Sequence, residues 1–67
     1  MSDARRKYLS VYADMHARAT RLHEDEYDSM CGQMDFHWSR MTPDERLEVN
    51  RMTNKERIAS ALEGRKP

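Results

Sequence analysis

A chain of 67 residues forms one domain at most, residues 1–67, and buries only about 60% of the surface its unfolded form exposes, so it needs either a well-used core or outside support. Charged residues make up 36% of it, split evenly into 12 basic and 12 acidic, which argues against both the basic footprint of a nucleic-acid binder and the strong acidity of a DNA mimic. The single cysteine, Cys31, excludes an intrachain disulfide, no apolar run approaches the ~20 residues of a membrane span, and Met1–Arg6 leads into no signal-type core; the expectation is a native, cytoplasmic chain.

From Ser2 to Arg40 no proline intervenes, good helix formers dominate and alternating strand patterns are absent, so the chain reads as all-α. At about 100° per residue, Tyr8, Val11, Tyr12, Met15, Ala19 and Leu22 fall on one stripe. A second stripe, Tyr27, Met30, Cys31, Met34, Trp38 and Met41, is rotated from it by roughly 80°. Two architectures explain the rotation. One is a single long helix over about 3–40 whose apolar face drifts. The other breaks near 23–28 and makes a three-helix bundle. Arg18, Arg21 and His23 before that point, with Glu24, Asp25, Glu26 and Asp28 after it, suit the dipoles of two helices. The absence of Gly, Pro or Asn there, and an Arg21/Asp25 pair at i,i+4, favour continuity, which is the reading taken.

Thr42-Pro43-Asp44-Glu45 marks a helix start: Thr42 caps, Pro43 suits the first helical position and Glu45 completes a capping box. Thr53-Asn54-Lys55-Glu56 repeats the box, and Gly64 is a candidate C-terminal cap. These starts belong to a repeat, Arg40-Met41-Thr42-x-x-Glu45-Arg46-Leu47 against Arg51-Met52-Thr53-x-x-Glu56-Arg57-Ile58. Eleven residues are three helical turns, so the return arm reads either as helices 43–52 and 54–63 or as one helix kinked at Thr53.

A helix of about 38 residues is some 57 Å long, whereas 43–63 reaches back only about 31 Å. The arm then covers Met30, Met34, Trp38 and Met41, with Trp38 against Leu47 and Leu62, and leaves the first stripe bare. Tyr8, Val11, Tyr12, Met15 and Leu22, with Phe36 on the far side of the second stripe, are therefore the predicted protein-binding residues. A homodimer is expected to cover them, alone or together with a foreign protein partner. In the bundle alternative the same stripe is an ordinary core.

No chemistry competes strongly with this reading. His16, His23, Cys31 and His37 lack the i,i+3 or i,i+4 spacing of paired metal ligands, so neither metal nor cofactor is expected. Cys31, near Met34 and Trp38, reads as a small buried hydrophobe. No phosphate loop, nucleophile elbow or paired-carboxylate motif appears, and no enzyme is predicted. The acidic run at 24–28 reads as a solvated helix start. The alternative is a nucleic-acid-binding regulator using Arg5, Arg6, Lys7 and the arginines at 40, 46, 51 and 57. Asp44, Glu45, Glu48, Glu56 and Glu63 on the same arm would repel phosphates, and surface pairs such as Asp44/Glu48 with Arg51 account for the arginines.

The run Met34-Asp35-Phe36-His37-Trp38-Ser39-Arg40-Met41-Thr42-Pro43-Asp44-Glu45-Arg46, about a fifth of the chain, resembles a segment of small uncharacterised helical proteins of bacteria and their phages. In these a Trp three residues before Leu or Met precedes a Ser/Thr-Pro-x-Glu-Arg helix start. The resemblance implies a bacterial or phage accessory protein and supplies no functional residues. With the absence of chemistry, it leads to the expectation of an inhibitor or adaptor acting on a host enzyme or defence complex.

Overall fold

The computed structural model describes residues 3–64, which form four helices and no strand. Helix α1 is Asp3–Ala17, α2 Glu24–Arg40, α3 Pro43–Arg51 and α4 Asn54–Gly64. The molecule measures 32 × 24 × 23 Å, too short for a rod of about 57 Å. The predicted continuous helix is therefore corrected: it ends at Ala17, and the chain turns over 18–23, earlier than the 23–28 considered from sequence.

No glycine or proline makes this turn. The Arg21 N–H donates to the Arg18 carbonyl at 2.8 Å, closing a tight turn, and His23 takes extended backbone at the N-cap of α2. Glu24, Asp25 and Glu26 then fill the first turn of α2, where the helix dipole favours negative charge. Arg18 reaches across the bend to Glu26 at 3.2 Å. The energetic reason lies in packing. A continuous helix would save a few backbone hydrogen bonds, each worth about 1 kcal/mol net, whereas bending buries apolar surface at about 25 cal/mol per Å2.

Helix α1 lies between its neighbours. Tyr8 packs on Trp38 with ring centroids 5.4 Å apart, so α2 runs back antiparallel beside it. Tyr12 donates a hydrogen bond to Asn54 Oδ1 at the start of α4, and Gly64 at its end lies beside Arg6, so α4 is antiparallel to α1 on another side. The core joins Leu9 and Ala13 of α1 to Met41, Val49 and Ala61, flanked by Ala4, Tyr8, Trp38, Met52 and Ile58. Leu9 and Val49 are almost wholly enclosed. Leu47 and Leu62 are half exposed, so Trp38 is held by Tyr8 and this core rather than by those leucines.

The eleven-residue repeat is one structural device used twice. Met41 and Met52 end α2 and α3 with extended backbone, donating their N–H groups to the carbonyls of Trp38 and Val49. Thr42 and Glu45 exchange backbone-to-side-chain bonds at 3.0 and 3.2 Å, and Thr53 and Glu56 do so at 3.3 and 3.2 Å. Arg46 Nε then donates to the Trp38 carbonyl at 2.9 Å, and Arg57 Nε to the Val49 carbonyl at 3.1 Å. Each corner therefore satisfies both the carbonyl end of one helix and the amide end of the next. The return arm is two helices, not one kinked helix.

Candidate functional site

The bend at 18–23 leaves an open groove where α1, α2 and α3 meet. Tyr8 and Met15 come from α1, Cys31, Met34, Asp35 and Trp38 from α2, and Asn50 from α3, around a volume of about 340 Å3. Cys31, Met34 and Trp38 lie three and four residues apart, which places them on one face of α2. All three are only half buried. Indeed α2 has no buried residue along its 17 positions, although it carries an apolar stripe. An amphipathic helix normally seals such a stripe against its own domain. Here α1 covers one flank of it and leaves the other open.

The groove is apolar with a polar edge. Burial raises the Tyr8 phenol above its ordinary pKa, the neighbouring Arg57 guanidinium pulls it down, and Tyr12 and Asp35 add smaller upward effects. No hydrogen bond links Cys31 to a histidine among the described residues; His16 packs on the Tyr12 ring and His37 against Phe36. No three His, Cys, Asp or Glu side chains converge to hold a metal ion among them either.

The predicted binding residues separate. Tyr8 and Met15 line the groove. Tyr12 does not: it is buried, bonded to Asn54, with the Arg57 guanidinium 5.2 Å from its ring centroid. Val11 and Leu22 are half buried and outside the groove. Phe36 is 58% exposed on another side of α2, with the Arg40 guanidinium 5.6 Å from its ring. The premise of a bare α1 stripe is thus corrected. The buried face of α1 is Arg5, Leu9, Tyr12 and Ala13, turned by about 100° from the centre of the predicted stripe. A helix with neighbours on two sides buries a wider arc than one apolar stripe marks.

Cys31, Met34, Asp35 and Trp38 were absent from the predicted binding set. For Cys31, Met34 and Trp38 the signal was the second stripe, which the long-helix geometry assigned to the core; Asp35 lies outside that stripe. Cys31 is half buried at the groove, not a core hydrophobe.

Of the arginines weighed for nucleic acid, Arg5, Arg6, Arg40, Arg46 and Arg57 have structural partners. Arg5 is buried, with its guanidinium 2.6 Å from Glu48, a carboxylate that the sequence reading paired with Arg51. Arg46 and Arg57 cap helix ends, Arg40 sits over Phe36, and Arg6 meets Asp3 at 3.2 Å. No helix among the described residues is long and apolar enough to cross a membrane. No family model, curated protein or solved structure matches this chain.

Proposed function

We propose that this protein is a non-enzymatic binding module, an inhibitor or adaptor, that receives apolar side chains of a partner protein in the groove between α1 and α2. The observation that carries this reading is the half-buried stripe of α2, which the chain's own core leaves open at Cys31, Met34 and Trp38. Methionine and tryptophan suit the role, because a flexible thioether adapts to different shapes and a large ring supplies contact area. Against catalysis stands the lack of any paired nucleophile and base among the groove's titratable groups. The cytoplasm fits the lone cysteine, and the likeness of segment 34–46 favours a bacterial or phage source.

A foreign partner is better supported than self-association. The dimer rested on an α1 stripe in which Tyr12 is now an internal contact. Binding nucleic acid through the arginines is also weakened, since Arg5, Arg46 and Arg57 already hold the fold together.

The test is comparative capture from a lysate of the source cell, quantified by mass spectrometry. Met34→Glu puts a charge in the groove, and Leu62→Glu places one at an exposed site outside it. With both variants helical by circular dichroism, Met34→Glu loses the partner and Leu62→Glu keeps it. Equal retention by both, or recovery of nucleic acid that falls steeply with salt, would remove the reading.

A further inference from the structure

The one charged side chain among the lining residues of the groove, that of Asp35, is acidic. Helical spacing puts Asp28 seven residues earlier on the same edge of α2, two turns away or about 10.5 Å, with Glu24 one turn beyond. All three are exposed. Along its whole length α2 carries five carboxylates, Glu24, Asp25, Glu26, Asp28 and Asp35, against the single full positive charge of Arg40. Among the described residues only Glu26 of these has an ion pair, with Arg18. The open apolar strip of Cys31, Met34 and Trp38 thus runs beside a row of unmatched negative charge.

This pattern selects among occupants. A second copy seated α2 on α2 would bring two acidic rows together. Anionic lipid and nucleic acid would meet the same repulsion. A partner that lays apolar side chains into a methionine-lined groove and carries lysine or arginine along its flank gains at both surfaces. Resting on the protein-binding reading above, we propose that the groove takes the apolar face of a cationic amphipathic helix from another protein, whose basic residues, two turns apart, face Asp28 and Asp35.

Trp38 is the only tryptophan of the chain and lines the groove, so its fluorescence reports occupancy without a label. The probes are tryptophan-free peptides of about 18 residues, with leucine at i, i+3, i+4 and i+7 and lysine elsewhere. One control replaces every lysine by glutamate, and another scrambles the leucine pattern at constant charge. In about 0.15 M salt the leucine–lysine peptide is expected to shift Trp38 emission saturably and to bind at least about tenfold more tightly than either control. Asp28→Asn with Asp35→Asn, two exposed changes that leave the helical signal intact, weakens that peptide by about fivefold.

If the glutamate peptide binds as tightly, the cationic assignment fails while groove docking survives. Equal binding of the scrambled peptide reduces the effect to bulk charge and overturns the amphipathic match. Unchanged affinity in the double variant removes Asp28 and Asp35 from the contact and overturns the proposal. A Trp38 signal silent to all three peptides overturns both the proposal and the groove reading beneath it.

Discussion

Arginine and tyrosine side chains carry more of this structure than their surface-loving reputation suggests. Arg46 and Arg57 read in the sequence as members of a charged helix face, balanced by nearby carboxylates. In the fold their guanidinium groups close the carbonyl ends of α2 and α3, eight residues earlier in the chain. Composition gives no sign of this, because a donor reaching back across a corner depends on the corner existing. Tyr8 offers a test at the same scale. Burial favours its neutral form, so its folded pKa lies above the unfolded value of 10.0. The fold therefore holds the Tyr8 proton more tightly than the unfolded chain does. Its stability contribution is intact below the unfolded pKa and is lost as pH rises through it toward the folded one. Tyr8→Phe is expected to lose less stability than the parent chain between about pH 9 and about pH 11, measured by urea unfolding at each pH. Parallel losses in the two proteins would show that this phenol does not titrate differently on folding.

Helix boundaries divide into those set locally and those set by packing. The starts of α3 and α4 are local: threonine, a glutamate three residues on and, for α3, a proline at the first position specify them, and they appear where the sequence put them. The end of α1 is different. Nothing in Arg18-Ala19-Thr20-Arg21 forbids helix, and continuity was the natural local reading. The charge switch from Arg18 and Arg21 to Glu24, Asp25 and Glu26 was the available signal, and it lay a few residues from the true bend. What decided the matter was long-range, the burial of Leu9, Tyr12 and Ala13 against other helices. Placement of the candidate site followed the same division. The apolar stripe of α2 was legible, but its role reversed once α1 folded over the neighbouring flank. The duplicated corner gives the prediction at this scale. Thr42→Ala and Thr53→Ala each remove one member of an equivalent capping box and are expected to cost about 1 kcal/mol apiece in urea unfolding. That is a sizeable share of the roughly 3–10 kcal/mol open to a chain of this length. A silent substitution at either threonine would mean that the two corners are not equivalent.

The whole molecule is short enough that covering one apolar stripe leaves another exposed. Four helices totalling 52 residues enclose a small core, and α1, packed against both α2 and α4, takes most of what shielding they provide. Helix α2 is left on the outside, half covered and acidic. The groove exists only because Tyr8 and Trp38, thirty residues apart, meet within one chain. In an unbroken helix those rings would stand about 45 Å apart. The most direct measurement is a nuclear Overhauser experiment on a mixture of isotope-labelled and unlabelled protein, filtered to separate contacts within a chain from contacts between chains. The structure predicts cross-peaks between the Tyr8 ring and the Trp38 indole inside the labelled chain, as a centroid separation of 5.4 Å requires. Their absence, or their appearance only between labelled and unlabelled chains, would contradict the bend at 18–23 and the groove it forms.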